Sequence, residues 1–336
     1  MTTGQQVEPQ DVDHMEHAIT LADAVRRTTA PNPWVGAVVV APSGETFGGA
    51  TSPPGGPHAE VAALAAAGAV DIRGGTLYST LEPCSHHGRT PPCADAIVAA
   101  GIARVVVGIE DPDPNVRGSG VARLRDAGVD VEVGVAGDRV RRQLAPYLTH
   151  RRTGRPFVTL KLAATLDGRT SAADGSSRWI TGPEARADVH RLRAEHDAVL
   201  VGAGTVRADD PELTVRDAAG PDPLRVVLGR APEAARIRPA LELEGGLDAV
   251  LADLAGRGVL SVLVEGGATV ARAFHTAGLV DRYVIYMAPA LMGGDDGAPM
   301  FRGTGAKEIG DVWRGRMVDV QRLGEDLRVD LEPRVG

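Results

Sequence analysis

The sequence predicts two α/β domains in tandem. Three observations carry that expectation: a length of 336 residues, helix-like and strand-like segments that alternate along most of the chain, and a basic Gly/Pro-containing stretch at 150–156 that breaks the pattern. The expected domains are 1–150 and 151–336. Apolar residues make up 43% and charged residues 24% of the chain, as in globular proteins, while aromatics at 3% are scarce, so the cores should be aliphatic.

Element by element, Met15, Ala18, Ile19, Ala22 and Val25 recur at helical spacing and predict a helix over 12–27. The following Pro31-Asn32-Pro33 stops it. The apolar run 34–40, bounded by Pro33 and the turn Pro42-Ser43-Gly44, predicts a buried strand, with a return strand at 45–49. A Pro/Gly loop over 51–57 then opens a helix at 58–67, followed by a strand at 76–79. Helix 94–100, strand 104–109, helix 120–127, strand 129–133 and helix 138–148 complete a mostly parallel layered sandwich. Beyond the linker, strands are expected at 157–162, 198–201, 224–228, 259–264, 283–287 and 326–331, with helices at 183–194 and 268–277. The last strands follow without an intervening helix, which implies antiparallel pairing at one sheet edge.

Acidic residues outnumber basic ones, 44 to 36, giving a net charge of −8. That field disfavours nucleic acid and anionic membrane surfaces and favours a small-molecule substrate. No apolar run reaches the ~20 residues of a membrane span, and the N-terminal residues lack signal-peptide features, so a cytoplasmic enzyme is expected. Cys84 and Cys93 are the only cysteines. In a reducing compartment they suit a metal better than a disulfide.

His58-Ala59-Glu60 opens a helix, Glu82-Pro83-Cys84 follows a strand, and Pro92-Cys93 opens another helix. One imidazole and two thiolates are the three protein ligands of a catalytic zinc, whose fourth position is left for water. Glu60, two residues past His58, can face that water as a proton shuttle without binding the metal. The set predicts hydrolytic deamination of an amidine-like ring carbon. A closed structural zinc using His86 or His87, buried thiols without metal, and a Cys/His nucleophilic dyad are the alternatives.

HAEVAAL with STLEPCSHHGRTPPC resembles the deaminase half of the bifunctional riboflavin-biosynthesis family, in which a pyrimidine deaminase is fused to a reductase. The eight residues between the cysteines resemble that family's insertion. The resemblance implies a cytidine-deaminase-like α/β/α sandwich, substrate contacts from Asn32, and His86 and Arg89 as donors to a ribose phosphate. Two positions depart from the family pattern: Thr51 and Ala62 stand where histidines are expected.

KLAATLDGRT, SSRWITG, VGAGTVRADDPELTVR and VEGGATV continue the resemblance into a reductase domain like dihydrofolate reductase, with a mixed sheet and NADPH as cofactor. It implies cofactor contacts at Ala163, Trp179, Thr205, Asp209, Gly266 and Gly267, and substrate contacts at Lys161, Ser177, Arg193, Leu213, Arg216 and Glu265. Independently, the two glycine turns each follow an apolar strand and open a helix, where exposed amides can meet phosphate, although Arg207 stands where a dinucleotide fingerprint would have its third glycine. The expected activity is deamination of 2,5-diamino-6-(5-phosphoribosylamino)pyrimidin-4-one and reduction of its ribosyl group to ribityl, in a homo-oligomer. Rival readings are a nucleobase or nucleoside deaminase with a non-catalytic second domain, and a binding protein that keeps the fold.

Overall fold

The computed structural model describes residues 8–86, 91–113 and 116–334, and the chain divides into two compact units between Gly154 and Arg155. In the first, α1 (Pro9–Val25) precedes the hairpin β1 (Gly36–Val40) and β2 (Thr46–Ala50). Then come α2 (Ala59–Ala66), β3 (Thr76–Leu81), α3 (Cys93–Ala99), β4 (Arg104–Ile109), α4 (Ser119–Asp126), β5 (Asp130–Val133), α5 (Gly137–Gln143) and α6 (Ala145–Thr153).

The five strands form one sheet in the order β2-β1-β3-β4-β5. Only β3/β4 and β4/β5 are parallel, whereas β1 is antiparallel to both neighbours. The expectation of a mostly parallel sheet is therefore corrected to a mixed one. The hairpin reverses the chain, and the α2 crossover then carries it past β1 in the direction of β2. Val38, Val39, Leu77, Val105 and Val106, fully buried, form the aliphatic centre, and Met15, Ala18 and Ile19 of α1 pack over it.

The two units divide inside the stretch expected as a linker at 150–156, but that stretch is not wholly irregular. Its first residues extend α6 to Thr153, and the helix ends at Gly154 in the left-handed conformation (φ 72°) with its amide on the His150 carbonyl. A left-handed glycine is a common helix stop, and no apolar periodicity is needed to form a last exposed turn.

The second unit contains β6 (Phe157–Thr165), β7 (Arg169–Ser171), α7 (Pro183–Glu195), β8 (Ala198–Gly202), α8 (Ala203–Asp209), β9 (Leu224–Leu228), β10 (Leu241–Leu243), α9 (Leu247–Gly256), β11 (Ser261–Val264), α10 (Ala268–Thr276), β12 (Arg282–Ala288), β13 (Ala298–Pro299), β14 (Gly315–Leu323) and β15 (Asp326–Pro333). Eight strands form a mixed sheet in the order β10-β9-β8-β11-β6-β12-β15-β14, and β7 pairs with β13. The run from β10 to β12 is parallel. Pairs β12/β15 and β15/β14 are antiparallel, as the closely spaced final strands imply.

Both faces of this sheet are covered. Leu160, Leu200, Val262, Leu254 and Phe274 pack on one side, and Val199, Val201, Leu263, Leu192 and Ile237 on the other. Double burial makes these strands continuous apolar runs.

Candidate active sites

The first site grows from three element ends. His58 is the N-cap of α2, with extended backbone (φ −74°, ψ 164°), and Glu60 lies in the first helical turn. That turn sits close over β2 because Gly49 has no side chain. A Cβ there would fall 2.5 Å from the Ala59 carbonyl oxygen and 2.3 Å from the Ala63 amide. Cys93 begins α3, and its amide donates to the Cys84 sulfur at 3.4 Å, while the Ala94 amide donates to the Cys84 carbonyl at 3.1 Å.

His58 Nδ1 lies 3.6 Å from Cys84 Sγ and 3.3 Å from Cys93 Sγ. All three ligand atoms fall within 4.8 Å of one another. A tetrahedral zinc with ordinary bond lengths would separate imidazole nitrogen from sulfur by about 3.6 Å, so the donor set fits this metal. Hydrogen bonding to Cys93 and His58 lowers the Cys84 thiol, while its Cys84 partner and burial push Cys93 up.

Glu60 is 4% exposed. Burial pushes its carboxyl up to about 7, where it can both take and return a proton near neutrality.

These groups line a cavity of about 410 Å³ that also includes Asn32, Thr51, His86, Glu82, Asp111, Asp113, Tyr147 and Arg151. Asn32 is set by a turn in which its amide donates to the Thr29 carbonyl (2.8 Å) and Thr29 Oγ1 donates to its own carbonyl (3.1 Å). Thr51, where the family pattern has histidine, receives the Val35 amide at 3.1 Å. Ala62 lies on α2 away from the cavity lining, and Arg89 falls outside the described residues.

Five of the polar lining residues, Glu82, Asp111, Asp113, Tyr147 and Arg151, were not singled out from sequence. Glu82 accepts the amides of Asp111 (3.1 Å) and Gly118 (3.0 Å) on Oε2, and those of Gly120 (2.9 Å) and Val121 (3.1 Å) on Oε1. One buried carboxylate thus pins the segment after β4 against the Cys84 loop. Asp111 accepts the Tyr147 hydroxyl on both oxygens at 3.1 Å, and burial raises its carboxyl. Asp113 and Arg151 pair at the rim at 3.6 Å. The available signal was positional: Asp111-Pro112-Asp113 follows the C-terminal end of a parallel strand, where α/β sites collect.

In the second unit the structure joins three of the six expected substrate residues. Arg193 of α7 donates to both oxygens of Glu265, Nε to Oε1 at 2.6 Å and Nη2 to Oε2 at 3.0 Å, and Lys161 Nζ of β6 lies 3.9 Å from Oε2. Burial would raise the Glu265 carboxyl, but Arg193 and Lys161 hold it at about 2. Burial lowers Lys161. Arg193 also donates to the Thr214 carbonyl at 3.3 Å, which sets the neighbouring Leu213, itself buried with φ 55°. Arg216 instead pairs with Glu212 at 3.0 Å, and Ser177 lies half-buried in the loop before Trp179.

The two glycine turns meet at the C-terminal ends of β8 and β11, which are neighbours in the sheet. The Gly267 amide donates to Thr205 Oγ1 at 3.1 Å. A Cβ on Gly266 would strike Val270 at 2.6 Å, and one on Gly267 would stand 3.3 Å from Thr205 Oγ1. This narrow backbone cradle before α10 suits a pyrophosphate. Ala163 follows Lys161 on the same face of β6. Arg178 donates to the Asp209 carbonyl, and Trp179, 69% exposed, stacks on Arg186 with the guanidinium 4.6 Å from the ring centre.

Fold and sites together define a zinc-binding deaminase joined to an NADPH-dependent reductase. Residues 8–109 match the cytidine and deoxycytidylate deaminase zinc-binding region, and residues 156–329 match the RibD C-terminal domain. The chain is 40% identical to the riboflavin biosynthesis protein RibD of Escherichia coli over 366 residues, covering 96% of this chain and 99% of that one. It is 43% identical to RibD of Mycobacterium tuberculosis over 330 residues, covering 94% and 96%. The solved structure of Acinetobacter baumannii RibD superposes with a TM-score of 0.89 at 39% identity, covering 97% and 99%. That of a diaminohydroxyphosphoribosylaminopyrimidine deaminase/5-amino-6-(5-phosphoribosylamino)uracil reductase from Thermotoga maritima does so with a TM-score of 0.89 at 35% identity, covering 96% and 99%. The chain belongs to the RibD family of bifunctional riboflavin-biosynthesis enzymes, which carry a deaminase and a reductase.

Proposed function

We propose that residues 1–150 deaminate 2,5-diamino-6-(5-phosphoribosylamino)pyrimidin-4-one and that residues 151–336 reduce the ribosyl group of the resulting uracil to ribityl. The observation that carries the deaminase reading is the placement of the buried Glu60 carboxyl beside the His58, Cys84 and Cys93 cluster in one cavity.

His58, Cys84 and Cys93 hold zinc, which when bound supplies Lewis-acid activation of water. Glu60 takes the proton released by the attacking water and delivers it to the departing amine, so that ammonia leaves and a carbonyl remains. Asn32 can donate to and accept from the pyrimidine edge. His86 and Arg89 donate to the ribose phosphate.

In the reductase, Gly266, Gly267, Thr205 and Asp209 hold the phosphate side of NADPH, and Ala163 and Trp179 flank the remainder. Lys161, Ser177, Arg193, Leu213, Arg216 and Glu265 hold the substrate. Hydride transfer is the cofactor's chemistry, so the chain's task is to orient nicotinamide against the sugar carbon and supply the surrounding charge.

The test is coupled turnover. Zinc-loaded protein should release ammonia from the diaminopyrimidine without NADPH and oxidise NADPH only after deamination; a protein with its zinc intact that does neither contradicts the reading.

Self-association is part of the same proposal. β14 lies at the edge of the eight-stranded sheet with Met317 60% and Val320 50% exposed, two apolar side chains on an edge that also carries charged and polar residues and that a second copy would cover. Light scattering on the purified chain reads it directly. A cytoplasmic location suits two cysteines that must stay reduced to serve as ligands. Among the described residues no helix is long and apolar enough to cross a membrane.

A further inference from the structure

The deaminase cavity has an electrostatic problem. Its described lining carries four carboxylates, Glu60, Glu82, Asp111 and Asp113, and a single Lys or Arg, Arg151. The loop that covers it, Thr51 to Pro57, reads Thr-Ser-Pro-Pro-Gly-Gly-Pro and has no ionisable side chain. A substrate bearing a dianionic phosphate would enter this cavity against net negative charge unless a cation met it.

We infer that Arg151 shares that task with His86 and Arg89: it binds the phosphate of the phosphoribosyl arm in the deaminase cavity and contributes to the preference for phosphorylated over unphosphorylated substrate. The inference rests on the deaminase reading above.

Arg151 is built for the task in three ways. Its guanidinium carbon lies 5.1 Å from the centre of the Tyr147 ring, so the charged plane has a platform. That ring is 3% exposed, and its hydroxyl is anchored on both oxygens of Asp111, so the platform is fixed. The ion pair to Asp113 is made from Nε at 3.6 Å, a long contact that an incoming anion can displace. A planar fork held in this way matches phosphate oxygens two at a time. Asp113 moderates the cation, because an incoming phosphate must compete with its carboxylate.

The test compares the phosphoribosylamino pyrimidine with its dephosphorylated counterpart in steady-state deamination. Arg151→Met should raise KM for the phosphorylated compound at least about tenfold, with kcat changed by less than about threefold, and so lower the preference for phosphate at least about tenfold. Arg151→Lys should recover part of that loss, since it keeps the charge but not the fork. Asp113→Asn should move the other way and lower KM for the phosphorylated compound, an effect that a merely structural rim pair would not give. Equal effects of Arg151→Met on both compounds, or no effect on either, would overturn the assignment.

If the zinc-loaded wild type deaminates neither compound, the deaminase reading has failed. Arg151 is then decided by calorimetric titration with ribose 5-phosphate. At least about tenfold weaker binding by the Arg151→Met variant supports the anion site, and unchanged binding overturns it.

Discussion

The Arg193 guanidinium grips the Glu265 carboxylate in parallel, with hydrogen bonds of 2.6 and 3.0 Å, and both side chains are at least nine-tenths buried. Removing either partner would leave a charge in the interior, which costs about 3–5 kcal/mol. Arg193→Met should therefore destabilise the reductase unit by that order and raise KM for its substrate. Denaturant unfolding followed by NADPH-oxidation kinetics checks both.

The same pair makes stability depend on pH. The folded-state value of Glu265, about 2, lies below the ordinary 4.5, so the group stabilises the fold fully above about pH 4.5 and loses that contribution as the pH falls toward about 2. The difference corresponds to about 3 kcal/mol. Unfolding at pH 6 and pH 3 should show the loss in the wild type and a smaller loss in Glu265→Gln.

Glu60→Gln should keep about one zinc per chain and lose deamination by roughly 100- to 10,000-fold. NADPH-dependent reduction of substrate that has already been deaminated should continue. Metal analysis and the two separate assays distinguish this outcome from general unfolding.

Glu82 fastens four backbone amides. Glu82→Ala should cost about 2–4 kcal/mol through buried donors left without a partner, and it should slow deamination by loosening the wall that carries Asp111 and Asp113. Hydrogen exchange at the Asp111 and Gly120 amides would report that loosening.

Gly267→Val should raise KM for NADPH about tenfold or more by filling the phosphate cradle beside Thr205, and leave ammonia release intact. A fall in both activities would place the glycine in the general fold.

Much of this was legible in the sequence because strands buried on both faces and helix-opening motifs leave strong local signals. His58, Cys84, Cys93 and Glu60 lie in short motifs at element ends that hydrophobic patterning and Pro/Gly punctuation mark out. Glu265 and Arg193 were each implied by resemblance as substrate contacts, but their bidentate pairing joins residues 72 positions apart and has no local trace. β14 escaped notice because its residues mix charged, polar and apolar types and none is fully buried, so no alternation marks it. The short α9 lacks a marked stop on its N-terminal side other than Gly245-Gly246, which also reads as a turn. Arg151 lies in the basic stretch 150–156, where a run of basic residues ordinarily means solvated surface. Only the stacking on Tyr147 and the shared cavity give it a role.

Mass spectrometry of the products is the most direct test of the central claim that one chain performs both steps. Incubated with the diamino phosphoribosyl pyrimidine alone, zinc-loaded protein should yield a compound heavier by about 1 Da, as amine gives way to oxygen; with NADPH added, that compound should gain two further hydrogens. Unchanged substrate under both conditions, or a deaminated product that NADPH leaves untouched, would contradict the account.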